Sequence, residues 1–516
     1  MRRCSSPNGR RHHRRRTLSP LWEDAMTIQA NEVTIRSDEG RSLISPRAAV
    51  LAYLAVCGLV LLLMMLLGLT MRLAQAQWIT VQPDLFYVVM TMHGAGMVGI
   101  AGLAGAAVMW HFVRRYVPVS TAVFVANLVF FIIGAAFILG AGFIGGFAGA
   151  WTFLFPLPAH SGAVWSVNAA ASYMIGLLII GTGFLLLHLD VARGILSVYG
   201  GLGSALGAGQ AFGLAPEKNG PPAAVTASTM VSIVNILGIL IGAAVLVISL
   251  VNLYVPSFTF NALLAKNLIF FFGHVFINAT IYMAVIAVYE ILPVFTHRAW
   301  KTNRAFYFAW VLSTLMVLTV YPHHLLMDFA MPTWALVAGQ VISWLSGLPV
   351  LLVTAFGALT NVYRSGIKWN ATAGLAFLGV AGWAIGVIPA IADGTIEINS
   401  VMHNTQWVPG HFHTYLLLGM VAMFLSFVTY IGTTGSSALA SVAFWLYTVG
   451  GSVFVLAFLS GGAVSVPRRY AVHLPEWLPY DRAGSVGAAL VIAGALIFVL
   501  GFLAKLPSVS ASESDA

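Results

Sequence analysis

Six histidines stand inside apolar stretches of this chain: His93, His274, His323, His324, His411 and His413. A ring nitrogen buried among hydrocarbon is costly without a partner, and neutral imidazole is a common metal ligand. The stretch 405–415, TQWVPGHFHTY, sets His411 and His413 two residues apart. On a helix, at about 100° per residue, such positions lie about 200° apart. One helix then holds a different partner on each face, as two cofactors standing side by side require. His274 follows Gly273 and is followed one turn later, on the same face, by Asn278. The run Tyr321–Pro322–His323–His324 places two imidazoles next to each other. Pro322 disrupts the local hydrogen-bond ladder and frees both rings to turn towards one point. His274, His323 and His324 thus make a candidate three-imidazole site with an open position, a donor set suited to copper, iron or zinc. The plainer reading of any single member is a core histidine with a satisfied hydrogen bond.

The elements that carry these residues are apolar and long. The chain has 516 residues, 59% hydrophobic and 8% charged, against about 25% charged in soluble domains. That composition predicts an all-α polytopic membrane bundle. Apolar runs able to cross a core of about 30 Å fall at roughly 48–70, 84–110, 119–147, 163–188, 228–254, 262–293, 304–328, 333–360, 371–392, 406–432, 438–461 and 484–505. They predict about twelve helices, and the joints carry Pro118, Pro156, Pro158, Pro221, Pro222, Pro256, Pro332 and Pro467. The longest internal polar stretch, 190–227, reads as a linker or re-entrant loop. The domain reading is a basic cytoplasmic tail over 1–45, a membrane domain over 46–506 and a short tail over 507–516.

Two cysteines, Cys4 and Cys57, exclude a disulfide framework, a four-cysteine zinc site and an iron–sulfur cluster. They also exclude a dinuclear copper site on paired cysteines, so a soluble electron-entry centre must sit on another chain. The net charge of +9 is no nucleic-acid signal, because much of it lies in the first sixteen residues. That segment is either a basic cytoplasmic tail or an upstream false start with Met26 as the natural beginning.

Lys and Arg in the short loops set the orientation. One set of alternating loops carries Arg114, Arg115, Arg193, Lys218, Arg298, Lys301, Arg304, Arg364 and Lys368; the other carries Arg72, Arg468, Arg469 and Arg482. Both termini are therefore expected on the cytoplasmic side. At 1.5 Å rise per residue, all six histidines then lie roughly 8–20 Å below the outer face. Six imidazoles at one depth on four helices are poorly explained as scattered core residues. Above them, Val466–Pro467–Arg468–Arg469–Tyr470 puts two guanidinium groups on the sparsely basic side. Snorkelling is the plain reading; paired recognition of carboxylates such as heme propionates is the sharper one.

Together these motifs resemble subunit I of the heme–copper oxidase superfamily over essentially all of 45–505. They are MHG at 92–94, GAWTFLFPLP at 149–158, GHVFIN at 273–278, YPHH at 321–324, WVPGHFH at 407–413 and PRRY at 467–470. HNTQWVPGHFH and LAKNLIFFFGH look closer to the B branch than to the A branch. The resemblance implies two hemes and a copper B site, with non-heme iron as the other option. His93 and His413 would be the axial pair of a low-spin heme and His411 the proximal ligand of a high-spin heme. His274, His323 and His324 would hold the non-heme metal, and Arg468 and Arg469 would meet the propionates. Trp151 lies in a segment that borders the site in relatives. The implied partners are a small subunit II-like electron-entry chain, a cytochrome c or cupredoxin donor, the lipid bilayer and a diatomic gas. The implied location is a bacterial plasma membrane.

One position departs from the family pattern. In the oxygen-reducing A and B branches a tyrosine follows the first copper histidine by four residues and is cross-linked to it; here that residue is Asn278. The C-branch alternative, a tyrosine before the histidine pair, falls on Val317. Tyr321 neighbours the ligands and Tyr282 lies two turns from His274. Asparagine donates no electron but can hydrogen-bond or weakly coordinate. Coupling two NO molecules to N2O needs no O–O cleavage and no such tyrosine, so the reading leans to NO reduction. O2 reduction to water with proton translocation through another residue, such as Tyr321, is the alternative. For proton supply from the inner side, Tyr289, Glu290, Ser313 and Thr314 are candidates, Tyr289 matching a tyrosine of the B-branch path. Glu290 paired with Arg298 or His297, and Lys266 snorkelling outward, are the plain readings there. His111, His160, His188, His297, His403 and His473 are expected at interfaces, with His403 a possible neighbour of the site. The rivals from other classes are a secondary transporter, which carries no heme, and a heme-bearing sensor without turnover.

Overall fold

In a computed structural model of the chain, residues 44–511 other than Phe153 are described; most of the basic N-terminal stretch and the end of the C-terminal tail lie outside them. Among the described residues, twelve helices are long and apolar enough to cross a membrane. We number them α1 Pro46–Gln75, α2 Pro83–Val113, α3 Thr121–Phe143, α4 Val167–Tyr199, α5 Ala223–Tyr254 and α6 Ala262–Thr296. The rest are α7 Arg304–Leu325, α8 Thr333–Val362, α9 Ala371–Asp393, α10 Trp407–Ile431, α11 Ala438–Ala463 and α12 Pro475–Leu506. The expected all-α membrane bundle is what forms.

Local chemistry sets the helix ends. Ser45, Ser120, Ser166, Asn261, Asn303, Asn370 and Ser437 cap α1, α3, α4, α6, α7, α9 and α11, each side chain accepting a first-turn backbone N–H. Gly200 stops α4 in the left-handed conformation at φ 70°, which only glycine adopts without steric cost. The stop comes later than the hydrophobic pattern suggests. α4 continues through His188 and Asp190, and only 200–222 form the expected irregular connection, as short helical turns. Asp190 tolerates the helix because its carboxylate takes the Ser120 backbone N–H at 2.7 Å and the Arg193 guanidinium at 2.7 Å.

Three helices break where the site needs them to. α7 ends its α-helical part at Thr319 and passes into a 3-10 turn over Tyr321–Leu325, the disruption expected of Pro322. α8 is split at Gly347, ahead of Pro349, into Thr333–Ser346 and Leu348–Val362. α10 is α-helical over Trp407–His413 and then widens into a π-helix over Thr414–Val421 before resuming. Wide turns of that kind are uncommon and cluster at functional sites. The π segment lies against α9, where small residues let the backbones approach: a Cβ on Gly382 would overlap the Leu418 backbone.

Candidate metal and cofactor centre

All six histidines line one cavity of about 730 Å³. They divide by how their ring nitrogens are engaged. His93 Nδ1 lies 2.7 Å from the Met64 carbonyl on α1, and His413 Nδ1 lies 2.7 Å from the Pro409 carbonyl one turn back on α10. His411 Nδ1 lies 3.2 Å from the Gly386 carbonyl on α9. In each ring the outer carbonyl fixes the tautomer and leaves Nε2 as a free acceptor, the arrangement that metal-bound histidines show.

His93 and His413 face each other across the cavity, ring centroids 6.3 Å apart and planes within 15°. Two metal–nitrogen bonds of about 2 Å each, with the half-widths of two imidazoles, add up to about that separation. The pair therefore fits a single metal ion that both rings would hold. Gly68 on α1 makes room for the His93 ring: a Cβ there would come within 2.8 Å of His93 Cε1. Phe458 lies parallel to His413 with centroids 5.4 Å apart. The Arg72 guanidinium stands 4.5 Å over Phe458.

The other three histidines converge. One ring nitrogen from each of His274, His323 and His324 falls within a cluster no wider than 4.8 Å. His274 Nδ1 and His323 Nε2 each stand 3.1 Å from His324 Nε2. Three imidazole nitrogens pressed together without intervening donors fit a single cation that all three ligate. The opposite nitrogen of His274, Nε2, lies 3.0 Å from the Asn278 amide. The same Asn278 Nδ2 donates to the His274 carbonyl at 2.9 Å and lies 3.5 Å from His274 Nδ1, so Asn278 packs against the ring one turn further along α6.

Arg468 and Arg469 line the same cavity. Their loop is pinned to the start of α10: Thr405 pairs with Pro467 as an isolated β-bridge, and the Arg468 N–H donates to the Asn404 carbonyl at 2.9 Å. Half-buried Arg468 has an Nε with no hydrogen-bond partner, an orphan donor that suits a carboxylate. Burial, with Arg469 beside it, lowers the Arg468 guanidinium to about 10 against the opposing pull of Asp393. His403 also lines the cavity, and burial together with Arg468, Arg469 and Lys266 lowers its pKa below the ordinary imidazole value.

Trp151 is on the cavity wall, with Gly94 and Gly273 leaving it room. Tyr321 is not on that wall; its hydroxyl donates to Asn267 Oδ1 at 3.2 Å. Tyr282 and Tyr415 are on it. Tyr415 was not singled out by sequence reasoning, because a tyrosine two residues past His413 carries no signal until the π-helix sets its direction.

Further along α6, the Tyr289 hydroxyl shares a hydrogen bond of 2.7 Å with Thr354 Oγ1 on α8, and Thr296 is bonded to Asn361. Several plain readings are corrected here. Glu290 pairs with Arg115 at 3.3 Å and Tyr116 at 3.1 Å, not with Arg298 or His297. Lys266 turns to Asp328 in an ion pair instead of snorkelling free. His188 and His473 are buried in the protein and paired: His188 meets Asn235 at 2.9 Å and His473 meets Asp481 at 2.7 Å. The partners of Glu290, Lys266 and His188 are distant in sequence and on other elements, so spacing along one helix cannot reveal them.

Residues 48–490 match the family model described as cytochrome c and quinol oxidase polypeptide I. The chain is 28% identical over 247 residues to cytochrome c oxidase polypeptide 1 of Halobacterium salinarum, covering 45% of this chain and 40% of that protein. It is 26% identical over 255 residues to heme-copper oxidase subunit I+III of Aeropyrum pernix, covering 48% and 30%. Against cytochrome c oxidase subunit 1 of Thermus thermophilus it is 26% identical over 278 residues, covering 48% and 49%. The chain thus spans about half or less of the length of these curated relatives. Among solved structures, a heme-copper terminal oxidase dimer superposes with a TM-score of 0.75 at 20% identity, over 89% of this chain and 84% of that one.

Proposed function

We propose a function from one premise: the chain belongs to the cytochrome c and quinol oxidase polypeptide I family. It is the catalytic subunit of a respiratory enzyme that reduces a diatomic gas. The observation that carries this is the six-histidine cavity, with one facing pair, one single ring and one cluster of three. His93 and His413 would hold a low-spin heme, His411 a high-spin heme, and His274, His323 and His324 a non-heme copper or iron. When bound, these groups supply one-electron chemistry and an open position for the gas.

The chain's own residues do the rest. Backbone carbonyls of Met64, Pro409 and Gly386 keep the Nε2 atoms of His93, His413 and His411 free and aimed. Arg468 and Arg469 would receive the heme carboxylates at the outer rim. The apolar wall excludes bulk water, which strengthens every interaction inside it. Tyr289 with Thr354, and Thr296 with Asn361, offer hydroxyl and amide groups between the inner face and the cavity, a supply line for protons.

The substrate reading is NO. Joining two NO molecules consumes two electrons and two protons and yields N2O and water, with no O–O bond to break. Asn278, packed against His274 and bonded to its carbonyl, suits that reaction: it steadies the ligand and contributes no electron. The second reading, O2 reduction to water, has its own support in Tyr282 and Tyr415, which line the cavity. An electron-entry subunit with a cytochrome c or cupredoxin donor would act from the outer side. Location in a bacterial plasma membrane with both termini cytoplasmic follows from loop charge. The test is analysis of purified protein for two hemes and one non-heme metal per chain. His324→Ala should lose the non-heme metal and keep both hemes; a wild type without a Soret band would remove the proposal and favour the transporter.

A further inference from the structure

His323 and His324 differ from the other candidate ligands in what holds them. Among the described residues, no carbonyl is bonded to either ring: His323 Nδ1 is buried without a partner, and both rings bond only to other histidines. Their aim must therefore come from the backbone of the turn Tyr321–Leu325. A 3-10 turn of this length has poorer hydrogen-bond geometry than an α-helix, and an irregular segment follows it up to α8. Left alone, it would not hold two rings to the tolerance a three-ligand site needs.

Two consecutive residues of α6 grip the turn from both flanks. Asn267 is seven residues before His274, two turns along the same helix face. Its Nδ2 donates to the Leu263 carbonyl at 2.9 Å, which fixes the amide and points Oδ1 at the Tyr321 hydroxyl, 3.2 Å away. The same Nδ2 lies 3.4 Å from Met331 Sδ, beyond the turn. Lys266 pairs with Asp328, four residues after His324, and Asp328 also takes the Ala330 N–H at 2.9 Å. The third side is backbone: a Cβ on Gly339 of α8 would lie 3.1 Å from His323 N.

We propose that Lys266 and Asn267 are positioning residues for the non-heme metal, stapling both flanks of the histidine turn to the helix that carries His274. The inference rests on the reading of His274, His323 and His324 as a metal site. It gives Tyr321 a mechanical part: its hydroxyl is spent on Asn267. Tyr321→Phe and Asn267→Leu each remove one flank, Lys266→Met removes the other, and Asn267→Asp keeps the acceptor for Tyr321.

The experiment uses the full chain, heme-loaded and purified. It measures loss of the non-heme metal to a chelator and the metal's ligand number by X-ray absorption, with the low-spin heme band as the fold control. Second-layer changes of this kind typically cost 10- to 100-fold in metal affinity. We expect roughly 10-fold faster metal loss and a lower nitrogen count in Tyr321→Phe, Asn267→Leu and Lys266→Met. Asn267→Asp should stay near wild type. Wild-type retention and ligand number in the first three variants would overturn the staple while leaving the metal site standing. A wild type that takes up no non-heme metal would overturn both.

Discussion

At the scale of single residues, Asn278 carries the proposed preference for NO. Its amide donates to the His274 carbonyl at 2.9 Å and packs against the His274 ring, so its first role is to steady that ring. Asn278→Val keeps the bulk and removes the hydrogen bond. We predict metal affinity about 10-fold weaker, read by chelator competition, with both hemes retained. Asp328 allows a prediction in pH. Burial alone would raise its pKa, but Lys266 and the Ala330 N–H hold it below the ordinary carboxylate value. A depressed carboxylate contributes fully above its unfolded pKa of about 3.9 and is lost only as pH falls through the folded value. Metal retention that depends on Lys266 should therefore be level from about pH 6 to 9; a Lys266→Met effect that vanishes within that range would contradict it. That the six histidines belong together was legible from sequence, because an imidazole in an apolar run is too expensive to be idle, and all six line one cavity. The carbonyls of Met64 and Gly386 and the amide of Asn267 were not, because every residue offers such groups and only the packing chooses among them.

At the scale of elements, α10 is an α-helical segment bearing His411 and His413, joined to a π segment that rests on α9. The HFH spacing was readable; the π-helix was not, since nothing in TYLLLGMV departs from a plain apolar helix. It is the close approach at Gly382 that fixes the π segment against α9, and Gly386 on that helix holds His411. Gly382→Val should push α9 away and release His411. The expected result is a reduced high-spin heme signal with the low-spin signal of His93 and His413 intact, measured by optical difference spectra. A second tie links α1, α10 and α12. Buried Arg72 and Asp481 pair at 2.9 Å, and Gln406 and His473 bond the same carboxylate. Removing one partner of a buried pair leaves an uncompensated charge, at a cost of about 3–5 kcal/mol. Asp481→Leu should therefore lower the thermal unfolding midpoint in detergent well beyond an apolar substitution on the lipid-facing side.

At the scale of the whole molecule, twelve helices among the described residues bring six histidines around a single cavity. The twelve spans could be read as apolar runs because a bilayer demands about 20 apolar residues per crossing. Their neighbours could not, since lipid-facing and buried helices are alike in composition; Glu290, His188 and His473 found partners that no run predicted. The central claim is that this bundle is a two-electron NO site because Asn278 stands where a redox tyrosine would. Purified, heme-loaded complex fed by an artificial electron donor should be given NO and O2 separately, on the same preparation. Fast NO loss with one N2O formed per two NO consumed, and slow O2 uptake, is the predicted result. Fast O2 uptake with water as the product would contradict the claim and turn attention to Tyr282 and Tyr415.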